Sequence, residues 1–156
     1  MADFGSDYAR GITPTTQAIT YSAGASMGGL LSMAVFRGTD IPAGIFNNCF
    51  FASRKGNTGA VTIYVFDSNP VNSTITDATA LVISSLDVGK LAFNPFTITP
   101  TVPQNAGAAM GESSPVRSVS NHDSPPTVFL YATIVANVAI SCTVGDLFFR
   151  ISMSQD

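Results

Sequence analysis

Charge is scarce in this chain: only 11% of its 156 residues are Asp, Glu, Lys or Arg, against roughly a quarter in an ordinary soluble domain. Ser, Thr and Asn stand in for the missing ions, while 46% of the residues are apolar. A surface so poorly ionised suits burial in an assembly better than dispersal as a monomer. The seven basic residues (Arg10, Arg37, Arg54, Lys55, Lys90, Arg117 and Arg150) are scattered, and the net charge is −3. Both facts work against binding a phosphate backbone, so nucleic acid is not an expected partner. Long apolar runs are also missing: nothing approaches the roughly 18 residues of a membrane-spanning helix, and no membrane partner is expected. The opening MADFGSDYAR carries Asp3 and Asp7 where a signal peptide would carry Lys or Arg, so the product is expected to stay in the cell that makes it.

Cysteine and histidine are nearly absent. The two cysteines, Cys49 and Cys142, lie far apart inside apolar strand-like runs, with no second Cys or His at ligand spacing. They read as buried free thiols, and no metal site or cofactor is expected.

What the chain does have is β-branched and aromatic residues, including 11 Phe and 4 Tyr, punctuated by 13 Gly and 9 Pro. That composition predicts an all-β fold. Candidate strands run over 12–21, 29–37, 44–52, 60–67, 90–98, 127–140 and 146–153, each bounded by turn-forming residues. The clearest strand is 127–140, with Val128, Leu130, Ala132, Ile134, Ala136, Val138 and Ile140 on one face, and the last strand alternates the same way, with Leu147, Phe149, Ile151 and Met153 inward and Phe148, Arg150 and Ser152 outward. In 44–52, parity puts Phe46 with Phe50 on one face and Cys49 with Phe51 on the other. Residues 1–11 read as an extended N-terminal arm, disordered on a lone monomer, ahead of a sandwich domain over 12–156. Segment 73–86 allows one helical turn with Asp77 as N-cap, and 99–126 reads as a long Pro-, Gly- and Ser-rich loop.

One catalytic motif is present. Gly24-Ala25-Ser26-Met27-Gly28 fits the G-x-S-x-G elbow that exposes a nucleophilic serine, with Asp87 and His122 following in the chain order of an α/β-hydrolase triad. That mechanism needs a strand-to-helix turn on a parallel sheet with crossover helices, and the pattern offers neither. A Gly-rich turn into a strand is the preferred reading, and no enzyme activity is expected. Asn72-Ser73-Thr74 matches a glycosylation acceptor but reads as a plain loop. The turn-flanking Asp residues show no EF-hand spacing.

Several short stretches together resemble the jelly-roll capsid decoration, or cement, proteins of tailed bacteriophages. They are ITPTT at 12–16, the Tyr21-x-x-Gly24 turn, the Gly28-Gly29-Leu30-Leu31 strand start, Val65 to Pro70 (VFDSNP), Thr76 to Ala80, and a final strand pair ending in Asp. The resemblance implies an antiparallel jelly-roll β-sandwich that binds the exterior of a preformed capsid in the virion after synthesis in the host bacterial cytoplasm. It implies the major capsid protein as partner and homo-oligomerisation, with a trimer favoured over a dimer. Exposure then points to Phe4, Tyr8 and Arg10 in the arm, and Arg117 and His122 in the long loop, as capsid or subunit contacts. The rival expectation is a glycan-binding or host-attachment module on the virion surface.

Overall fold

The computed structural model describes residues 6–36, 42–103 and 107–155. Eleven strands follow in order: β1 (Ser6–Ile12), β2 (Thr20–Tyr21), β3 (Leu31–Ala34), β4 (Ala43–Ser53), β5 (Val61–Phe66), β6 (Phe96–Ile98), β7 (Ala109–Ser113), β8 (Arg117–Ser120), β9 (Phe129–Ala136), β10 (Ile140–Ser141) and β11 (Leu147–Gln155). One sheet has the order β1-β11-β4-β7, with β8 pairing further along β4, and the other has the order β3-β9-β5-β6. All pairings are antiparallel. The chain passes between the two sheets at almost every connection. With β7 and β8 sharing one position, this is the eight-stranded double-sheet jelly roll. The ribbon of β2 and β10 lies outside both sheets.

Both inner faces contribute to one hydrophobic core. Phe46, Cys49, Phe51, Leu147, Phe149, Ile151 and Met153 from one sheet meet Leu31, Met33, Val61, Ile63, Val65, Leu130, Ala132 and Ile134 from the other. The inward set expected of β11 is therefore the observed one. Burial lifts the thiol of Cys49 above its ordinary range, and burial together with Asp146 pushes that of Cys142 up to about 12. Both cysteines are free and buried, and as protonated thiols they behave as small apolar core groups.

The parity reading of β4 is corrected by a bulge. Opposite β11, Ser152 pairs with Asn48 but Met153 pairs with Phe46, so Asn47 is an extra residue. The bulge lets Phe46 turn inward beside Cys49 and Phe51 and leaves Phe50 outward. Other boundaries also shift. The arm read over 1–11 is, from Ser6 onward, an edge strand lying along β11. The strand expected over 12–21 is reduced to Ile12 at the end of β1 and to β2, because Pro14 supplies no amide for a ladder. The loop expected over 99–126 contains β7 and β8, both on β4. Their small and polar residues, among them Gly111, Ser113 and Ser118, carry no alternating apolar signal. No helical turn follows Asp77; a short 3-10 turn occupies Val88–Lys90 instead. No helix among the described residues is long and apolar enough to cross a membrane.

The two sides of the sandwich close differently. At one, Thr101 and Met110 exchange backbone hydrogen bonds of 2.9 Å each, joining the chain after β6 to β7. At the other, where β1 and β3 are the edge strands, Arg10 Nε donates to the carbonyl of Ala34 at 3.2 Å.

Candidate functional site

The Gly-rich turn was the one motif with catalytic potential, and its geometry removes that potential. Ser26 is fully buried, and its hydroxyl lies 2.7 Å from Thr133 Oγ1 on β9. Its backbone pairs opposite Val135, so residues 24–27 extend β3 along β9. Gly28 and Gly29 adopt positive φ of 95° and 72°, where a side chain would be strained. Asp77 fixes this turn, its carboxylate accepting from the Gly28 amide at 2.7 Å, the Tyr21 hydroxyl at 2.8 Å and Gln17 Nε2 at 2.8 Å. Burial, reinforced by Asp77, pushes the Tyr21 hydroxyl up to about 12, so it remains a donor. His122 and Asp87 bond to other groups, described below. We predict that Ser26→Ala loses one buried hydrogen bond, about 1 kcal/mol, and that a fluorophosphonate probe labels neither form. Labelling of wild-type Ser26 would restore the hydrolase reading.

Titratable groups gather instead at one end of the sandwich, where three connections meet. Asn121 N donates to Pro42 O at 2.8 Å, His122 N to Asp67 O at 2.9 Å, and Asn69 N to Asp123 Oδ1 at 2.8 Å. Asp87 is enclosed there. Its carboxylate accepts from Ser73 Oγ at 2.6 Å, Asn72 N at 2.9 Å and Asn72 Nδ2 at 3.2 Å, and it pairs with Lys90 Nζ at 2.9 Å. Burial works against its charge, but the bonds from Ser73, Lys90 and Asn72 outweigh it and hold the carboxyl at about 2. Lys90 also donates to Asn69 O at 3.0 Å.

Asp123 repeats the pattern. Tyr131 Oη donates to it at 2.6 Å, and Asn121 and Thr127 donate as well. Burial again opposes its charge, but the bonds from Tyr131, Asn69, Asn121 and Thr127 prevail and keep it below the usual carboxylate range. Asp67 goes the other way: burial raises it, only partly offset by the nearby His122. His122 Nε2 lies 2.9 Å from Ser120 Oγ and 3.8 Å from Asp67 Oδ2. Asp87 and Asp123 are thus saturated by the protein's own donors and act as ties between loops. No group of three or more potential metal ligands is assembled among the described residues.

These ties hold a set of exposed apolar side chains in place. Val71 and Leu86 are 70% and 72% exposed, and Val82 and Val88 exceed half. Val71 adjoins Asn72, and Leu86 and Val88 flank Asp87, so the carboxylate network fixes the backbone from which three of the four project. Val82 is set by a bridge to Thr74. Sequence reading passed over these residues because the segment has no strand periodicity; an apolar residue recurring in a turn-rich stretch was the available signal.

The residues expected at contacts are dispersed. Tyr8 stands opposite Met153 in the β1–β11 register, and Phe4 lies outside the described residues. Arg10 is exposed and tied to Ala34 at the β1–β3 side. Arg117 is exposed at the start of β8, opposite Phe46, rather than in a loop. His122 belongs to the loop end just described.

No protein-family model matches the chain, and no curated protein matches it. Among solved structures it is similar to the Tobacco streak virus coat protein, with a TM-score of 0.40 and 6% identity over 99% of this chain and 88% of that one. It is also similar to a Tomato aspermy virus structure, with a TM-score of 0.40 and 8% identity over 99% of this chain and 78% of that one.

Proposed function

We propose that this protein is a structural component of a virion that binds the outer surface of a phage capsid and stabilises it, with the major capsid protein and further copies of itself as partners. One observation carries the reading. The connection between Asp67 and Leu91 presents Val71, Val82, Leu86 and Val88, all more than half exposed, on backbone tied by hydrogen bonds to the enclosed Asp87 carboxylate and by the Thr74–Val82 bridge. Exposed apolar side chains on a fixed scaffold, in a chain with few charges to solvate them, suit a surface that another protein covers. The jelly-roll strand order and the short stretches resembling decoration proteins agree with that role. Each bound copy would add its own binding free energy to the stability of the shell, and many weak contacts would sum over the lattice. Phe4, Tyr8, Arg10, Arg117 and His122 remain proposed contacts.

The test is co-sedimentation with purified capsids that lack the protein, followed by imaging of the pelleted shells. Wild-type protein is expected on the capsid exterior, raising the temperature at which shells open. The paired substitution Leu86→Asp and Val88→Asp should reduce occupancy at least about tenfold while leaving the fold intact. Wild-type protein that stays in the supernatant at every concentration would overturn the proposal. Binding of an isolated glycan, without capsid binding, would replace it with the attachment-module reading.

A further inference from the structure

The two outer faces of the sandwich are not equivalent. The connection after β5 leaves at Asp67, reaches Ala25 and Ser26 beyond the β3 edge with residues 78–80, and returns to pair beside β5 at Leu91 and Ala92. In doing so it crosses the outside of the β3-β9-β5-β6 sheet, where Phe66, Tyr131, Thr133 and Val135 are buried. Among the described residues nothing crosses the outside of the other sheet. There the outward positions of β4 and β11 include Phe50, Phe148 and Arg150, all partly exposed. Outward positions on a solvated antiparallel sheet are ordinarily polar; aromatic residues and Arg are instead what interface centres favour.

The pairing register sets a row across this face. Arg150 stands opposite Phe50, and Phe50 opposite Glu112, so cation, ring and carboxylate occupy successive strands β11, β4 and β7. The guanidinium carbon of Arg150 lies 4.8 Å from the centre of the Phe50 ring, which in turn packs edge-on against Phe148 at 6.2 Å. Arg150 Nε is buried with no hydrogen-bond partner, and among the described residues Arg150 forms no ion pair. Glu112 is exposed and accepts one bond, from Asn48 Nδ2 at 3.3 Å. Two strand spacings, about 9.6 Å, separate the two charged positions, with Phe50 between them.

We infer that this face is a two-fold contact between two copies of the chain, with Phe50 near the axis. A two-fold rotation about an axis lying in the contact plane, parallel to β4 and passing beside Phe50, carries Arg150 of each copy toward Glu112 of the other, so each charge left unpaired within a copy is paired between copies. Such self-complementarity is the requirement of an isologous interface. The face measures about 30 Å by 19 Å from strand rise and spacing. Two such faces bury about 1,100 Å², just below the standard range and in the region of weak, transient association. The pair therefore forms in a concentration-dependent manner.

The experiment is light scattering and sedimentation equilibrium on the full chain across a concentration series, without capsid, so its outcome is independent of the capsid proposal. Wild-type protein is expected to reach the mass of two copies. Arg150→Glu and Glu112→Arg are each expected to weaken association at least about tenfold, and the combined variant to recover it. Far-ultraviolet circular dichroism checks that each variant is folded; Glu112 is exposed, so its variant stands even if the Arg150 variant does not fold. Wild-type protein that remains a single copy, an oligomer of any mass indifferent to both single substitutions, or a combined variant that fails to recover would each overturn the inference.

Discussion

Phe46→Ala is expected to cost about 4 kcal/mol, a large part of the stability of a domain of this size. Phe46 is fully buried, and its edge-on contact with Phe93 at 5.1 Å is lost, with that ring in turn stacked on Phe96. The bulge lets Phe46 and Cys49, at odd separation in β4, both face the core by adding one residue between them. Deletion of Asn47 makes the separation even, so the alternation set by Cys49 and Phe51 runs unbroken, with Phe46 still inward and Ile45, 43% exposed, still outward. The deletion is therefore expected to cost far less than Phe46→Ala. Asn47→Ala is the control, since it keeps the residue count and removes only the side-chain bond to Ser154, worth about 1 kcal/mol. Chemical denaturation of the three variants decides the matter. A deletion variant that loses as much stability as Phe46→Ala would show that Asn47 is not the extra residue of the bulge.

Replacement of Asp87 is expected to have the second largest effect, and one that depends on pH. Asp87→Ala strands the Ser73 hydroxyl, the Asn72 amide and the Lys90 ammonium around an enclosed space. A fall in Tm of roughly 10 °C at neutral pH is expected. Because the folded protein holds this carboxyl at about 2, below the ordinary carboxylate value near 4, the unfolded chain binds more protons in between. Stability from Asp87 is therefore complete above about pH 5 and is lost as the pH falls toward 2. Asp123, also held low, contributes in the same direction, whereas Asp67, held high, contributes in the opposite one. The difference between wild type and Asp87→Asn isolates the single group. It should be largest at neutral pH and shrink toward zero below pH 3, as followed by thermal melts across that range. A difference that stays constant with pH would show that the carboxylate charge is not what the network stabilises.

These two sites also mark how far the chain could be read without coordinates. The all-β class, β11 and the buried thiols were legible because strict alternation and β-branched runs report directly on a half-buried strand. The inward facing of Phe46 was not, because a bulge leaves no mark in composition: Asn47 and Asn48 look like any polar pair in a strand. β7 and β8 were missed because an edge position on β4 is satisfied by glycine, serine and a few small apolar residues, whose pairing is specified by the neighbour rather than by themselves. Asp77 reads in the sequence as the N-cap of a helical turn that the fold does not form, and its role as anchor of the Gly28 turn was hidden because its partners Tyr21 and Gln17 stand 56 and 60 residues away. The loop end was visible only in fragments. His122 and Asp87 were noticed as possible members of a triad with Ser26, yet folding assigns the three to unrelated hydrogen-bond sets.

The unequal sides of the sandwich bear on how the protein would yield under load. The side closed through Thr101 and Met110 is continuous backbone ladder, whereas the opposite side depends on a side chain, Arg10, reaching to Ala34. Among the side chains described in β1, over residues 9–12, none is fully buried, and Ile12 only flanks the core. Strain on the protein would therefore be relieved by peeling the amino-terminal strand from β11 like a zip, while the rest of the barrel-like seam stays shut. The chain thus has a built-in order of failure, with its first give at the end where it begins.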